Sequence, residues 1–165
     1  MSEPEHRWIA VRDGLEKTEL LRARILEGAL HPAVRDTAVR LTQMVDRNNH
    51  REHIARLHRF VRDAVHYHQE PVEQLQHAAW TLEHGGDCDC LTILLGALAW
   101  SLRYPWSEEA HGDPRDPEHY SIWLGYPPAL EPHGGPRTNW VHAETSAAAA
   151  LGETTQAAAQ RRAVL

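Results

Sequence analysis

Cysteine is scarce in this sequence: 165 residues hold two, Cys88 and Cys90, one residue apart. Thiols that close rarely bridge each other, because the disulfide geometry is strained, so a structural disulfide is not expected. Basic charge is thin as well. Lys17 is the single lysine, and the net charge is −6, which argues against a nucleic-acid binder with its usual basic face. Long apolar runs are missing. The longest, "LTILLGALAW", is about half of what a bilayer span requires. The start, "MSEPEHRWIA", is acidic and polar with no signal-peptide pattern. These absences together lead us to expect a cytoplasmic protein with reduced thiols, bound to neither nucleic acid nor membrane.

What remains is an ordinary globular balance, 42% hydrophobic and 24% charged, in a length that suits one domain with a real core. Thirteen histidines are spread along the chain, and most are expected on the solvated surface. The aromatic and β-branched "HRWIAVRDG" reads as an edge strand ending in a turn at Asp13-Gly14. "LEKTELLRARILEGAL" has helical spacing, and Pro32 opens a second helix reaching Val45. "REHIARLHRFVRDAVHY" is a third, with Ile54, Leu57, Val61 and Val65 as its apolar stripe. "VEQLQHAAWTLEH" is a short helical or irregular stretch, and the run from Cys88 to about Leu102 reads as a buried helix.

Beyond it the character changes. Seven of the ten prolines fall between Pro105 and Pro136. "RYPWSEEAH", "EHYSIWLGYP" and "TNWVHAETS" read as strands joined by Pro/Gly loops. The fold class is therefore α+β, a helical half feeding a small antiparallel sheet. The reading is one domain over 1–165, with a core over about 51–153 and a tail over 154–165.

The chemistry gathers at "GGDCDCLTILLGALAWSL", residues 85–102. A thiol in the first turn of a helix meets unpaired N–H groups and the positive end of the helix dipole, which favour thiolate. Asp87 and Asp89 pull the other way. Gly85 and Gly86 would turn the chain sharply and leave room for a substrate. On residue physics alone, a nucleophile awaiting a distant histidine and a pair of inert buried thiols stay open. A Cys-x-Cys metal site with His84, His142 or another histidine as partners is a third reading, without the usual zinc spacing.

Residues 57–102, "LHRFVRDAVHYHQEPVEQLQHAAWTLEHGGDCDCLTILLGALAWSL", resemble the core of the transglutaminase-like superfamily in its short bacterial and phage-associated form. The likeness extends over most of 8–153. It rests on a "VRD.V.Y" helix end and a Gly-Asp-Cys-Asp-Asp nucleophile motif, here with Cys90 in place of the second acid. The resemblance implies a papain-like core, in which the nucleophile helix packs against an antiparallel sheet that holds a histidine and an acid.

That likeness implies Cys88 as nucleophile and His119, in "PEHYSIWLGYP", as the catalytic histidine. Alternation puts His119, Ser121 and Trp123 on one strand face and Tyr120, Ile122 and Leu124 on the other. In "NWVHAETS", Glu144 stands where the family has an aspartate that orients the histidine, and His142 competes as the base. Gln76 and the backbone N–H of Cys88 are the oxyanion candidates; Asp87 and Trp123 complete the expected substrate-binding set. Trp80, Trp100, Trp106 and Trp123 suggest either an apolar cleft or core. The implied reaction is acyl transfer through a thioester on a protein or peptide substrate. It ends in hydrolysis or in transfer to an amine, and requires no metal or organic cofactor. The rival is an inactive binding or assembly protein of a phage or prophage. Oligomeric state is not legible.

Overall fold

The structure, a computed structural model, describes residues 14–72, 74–113, 116–128, 139–145 and 149–153. The expected N-terminal strand lies outside these residues except for Gly14, which opens a helix, and the tail over 154–165 also lies outside. Five helices come first: α1 (Gly14–Leu30), α2 (Pro32–Thr42), α3 (His50–Ala64), α4 (Ala78–His84) and α5 (Cys88–Ser101). Three strands follow: β1 (Trp106–Asp113), β2 (Asp116–Gly125) and β3 (Trp140–Ala143). The class is α+β.

Local chemistry explains the helix ends. His31 caps α2 by accepting the Ala33 N–H at 3.2 Å on Nδ1, and Pro32 occupies a first-turn position where a missing N–H costs nothing. The helix ends at Thr42, short of Val45. Asn49 caps α3 by accepting the Glu52 N–H at 3.3 Å. Helix α3 stops at Ala64 rather than Tyr67, because the chain from Val65 turns extended and pairs elsewhere. His68 N–H donates to Gly86 O at 3.1 Å, and Gly86 N–H to His66 O at 3.1 Å. No local pattern announces a bridge between segments so far apart.

Helix α5 is the axis of the molecule. Every residue from Asp89 to Ala99 is buried, so its sequence is apolar all round, broken only by Asp89 and Thr92, instead of carrying a stripe. Gly96 permits the close packing: a Cβ there would lie 2.8 Å from Ile25 Cδ1 of α1 and 2.9 Å from Ile122 Cδ1 of β2. The sheet lies on α5 in the order β1-β2-β3, antiparallel throughout. Tyr120, Ile122, Leu124, Val141 and Ala143 are buried in the core, and the Thr92 hydroxyl donates to Tyr120 O at 3.2 Å. By alternation the opposite face carries Glu109, His111, His119, Ser121, Trp123 and His142. The expected strand order and face assignment for β2 both hold.

The histidines do not behave as expected. Of the eleven described, only His66 and His84 are exposed. The others have structural partners. His31 and His77 cap helices, and His50 and His53 reach the Tyr104 hydroxyl at 3.0 and 2.6 Å. His58 donates from Nε2 to Glu144 O at 2.6 Å, tying α3 to the end of β3. Imidazole is small enough to bury once a ring nitrogen finds a partner, though His53 Nε2 is buried without one.

Candidate active site

Cys88 opens α5, half-buried, while Cys90 is fully buried and both thiols are free. The turn before them is set by Gly85, whose φ of +79° suits glycine and whose Cβ would meet His66 O at 2.1 Å. Gly86 lies against Cys90, where a Cβ would fall 2.5 Å from that of the cysteine. The space expected for a substrate beside the two glycines is filled by the protein's own 66–68 segment and by Cys90. Asp87 proves to be the N-cap of α5, accepting the Cys90 N–H at 3.2 Å.

The Cys88 sulfur donates to Asp89 Oδ1 at 3.3 Å. Burial, then the charges and hydrogen bond of the neighbouring aspartates, push the thiol up to about 12, opposed by a hydrogen bond from the Tyr120 backbone. Asp89 is itself paired with Lys17 Nζ at 2.8 Å, so the only lysine in the chain sits on the acid beside the thiol. Cys90 points away, donating to Gln74 O at 3.1 Å.

His119 Nε2 lies 2.5 Å from Glu144 Oε2, and the Glu144 side chain is wholly buried. Its other oxygen accepts the Thr145 N–H at 2.9 Å. Burial lowers the His119 pKa, but the hydrogen bond and charge of Glu144, with the charge of Asp89, outweigh it and raise the imidazole above its ordinary value. The structure thus brings His119 and Glu144 together. The backbone of the next residue of the same strand, Tyr120, lowers the Cys88 thiol, and no hydrogen bond joins its sulfur to His119 among the described residues.

Gln76 donates to Glu70 Oε1, and its Oε1 accepts from the Thr81 hydroxyl at 3.4 Å, which places it beside Gly86 and Cys90. One proton of its amide group remains beyond the bond to Glu70. Trp123 sits on the outer sheet face, its indole N–H donating to Glu109 Oε2 and its ring 5.0 Å from His142. The other tryptophans go elsewhere, Trp80 stacking on His84 and Trp100 on Arg103.

Among the described residues, two groups could hold a metal ion: Glu109, His111 and His142, and Glu70, Asp87 and Cys90. Neither contains both cysteines, and neither contains His84. Glu70 and the histidine cluster were not apparent in the sequence. The alternation of Glu109 and His111 on one strand was visible; their partner on β3 was not. No protein-family model, curated protein or solved structure matches the chain.

Proposed function

We propose that the chain is a thiol-dependent acyl-transfer enzyme of transglutaminase-like type, with a papain-like arrangement of nucleophile helix and sheet. Cys88 is the nucleophile, His119 the general base and acid, and Glu144 the residue that orients the imidazole. The observation supporting this most directly is the 2.5 Å contact of His119 with the fully buried Glu144, one residue along β2 from Tyr120, whose backbone lowers the Cys88 thiol. With Nε2 committed to the carboxylate, Nδ1 is the nitrogen left to exchange a proton with the thiol.

In the reaction, Nδ1 takes the thiol proton as sulfur attacks the carbonyl carbon of a protein or peptide substrate. The tetrahedral oxyanion is met by the Cys88 backbone N–H and by Gln76. His119 returns the proton to the leaving amine as the C–N bond breaks, leaving a thioester. Water then loses a proton to His119 and displaces the thiol, giving a free acid; an amine in its place gives a new amide. We favour hydrolysis. The resting thiol is neutral, so the thiolate forms only when His119 accepts its proton, and Lys17 offsets the opposing charge of Asp89. Two free thiols suit the reducing cytoplasm.

The second reading is a non-catalytic binding or assembly protein of a phage or prophage, and the Cys88 hydrogen bond to Asp89 favours it. Labelling with a peptide-like, thiol-reactive electrophile at neutral pH, followed by mapping of the adduct, decides between them. We expect modification of Cys88 alone, slowed about a hundredfold in His119→Ala. Slow, equal labelling of both cysteines would sink the enzymatic reading.

A further inference from the structure

We propose that Glu109, His111 and His142 form a site for a single zinc ion on the outer face of the sheet, clamping β1 to β3 across β2. The inference is independent of the chemistry proposed for Cys88. Register builds the site. Glu109 and His111 are two apart on β1 and share a face, Glu109 pairs with Ser121, and Trp123 pairs with His142. The three ligand atoms lie within 4.8 Å of one another, and His142 Nε2 is 3.8 Å from Glu109 Oε2.

Zinc binds imidazole nitrogen and carboxylate oxygen at about 2.0 to 2.2 Å. The centre of an equilateral triangle with a 3.8 Å side is about 2.2 Å from each corner, and with a 4.8 Å side about 2.8 Å. Closure therefore needs side-chain shifts of well under about 1 Å, without movement of the strands.

Partners outside the triangle favour metal binding over a chance grouping. His142 Nδ1 donates to Glu153 O at 2.7 Å, which fixes the tautomer with an unprotonated Nε2 facing Glu109. Glu109 is in turn held by the Trp123 indole N–H. Ligating histidines and carboxylates are characteristically oriented by such contacts. Ser121 Oγ lies 2.8 Å from Nε2 of both His111 and His142, where it can supply a fourth, oxygen ligand. His142 is 1% exposed, whereas Glu109 is open enough to admit an ion from solvent. The other candidate group, Glu70, Asp87 and Cys90, differs: its Cys90 sulfur already donates to Gln74 O and its Glu70 Oε1 already accepts from Gln76.

The test is calorimetric titration of the full chain with zinc chloride in a non-chelating buffer, with Co²⁺ as a spectroscopic probe. We expect one equivalent bound, a rise in Tm with zinc, and a cobalt spectrum without thiolate charge transfer. His111→Gln and Glu109→Gln, at positions open enough to spare the fold, should each weaken binding by at least about tenfold and remove the rise in Tm. Cys88→Ser should bind zinc as the parent does. His142→Gln is the more direct variant but risks the core, so the conclusion rests on the other two. Absence of binding, affinity retained in both variants, a thiolate band, or loss of zinc with Cys88→Ser would each overturn the proposal.

Discussion

Glu70 belongs to no motif, yet its side chain is 3% exposed and one carboxylate oxygen has no hydrogen-bond partner. Burial, with the charge of Asp87, raises its carboxyl from 4.5 to about 7. The folded state therefore binds more protons than the unfolded one between those values, so stability falls as pH rises through that window. At 1.36 kcal/mol per unit the loss is about 3 kcal/mol. His119 acts with the same sign: its raised value gives stability present below the ordinary imidazole range and lost as pH climbs through the folded value. Denaturation of Glu70→Gln at pH 5 and pH 8 separates the two. We expect the variant to gain at pH 8 and lose most of the slope; an unchanged slope would assign the effect to His119. Two of the three sheet histidines, His119 and His142, should also part company. His119→Ala should cut the turnover of folded protein by about 10²- to 10⁴-fold and also lower Tm, because it leaves the buried Glu144 carboxylate without its imidazole. His142→Ala, which takes one hydrogen-bond partner from Ser121 and one from the Glu153 carbonyl, should cost about 1 to 3 kcal/mol while folded protein keeps its turnover. The opposite pattern would move the base to the third strand.

At the scale of elements, the start of α5 serves packing and chemistry at once. Asp87 caps the helix and also raises the Cys88 thiol through its charge. Asp87→Ala should destabilise the protein by about 1 kcal/mol. Asp87→Asn keeps an accepting oxygen, so stability should hold while Cys88 alkylates faster; no change in that rate would show that the aspartate charge does not reach the sulfur. The turn ahead of it is less forgiving. Gly85→Ala combines a left-handed φ with a contact on the His66 carbonyl, and we expect a loss of at least about 2 kcal/mol in urea denaturation. A neutral result would mean that the 66–68 segment can shift away from Gly86.

Across the whole molecule, one helix faces four others on one side and a sheet on the other, and no helix among the described residues is long and apolar enough to cross a membrane. Composition and periodicity determined the helices, the order of the strands and the alternation along β2, because helix and strand patterns are local and each repeats within a few residues. They also located Cys88, since a thiol between a glycine pair and an apolar run marks a helix start. Only tertiary structure decided the rest. The parallel bridge of Tyr67 to Gly86 ended α3 early, and burial of imidazoles by distant partners overturned the expectation of solvated histidines. The His119–Glu144 contact spans 25 positions (144 − 119), and the Glu109–His111–His142 cluster joins two strands that are not neighbours in the sheet. Such contacts depend on register between separate strands. Register is set by the shared core on α5, and no stretch of sequence carries it alone.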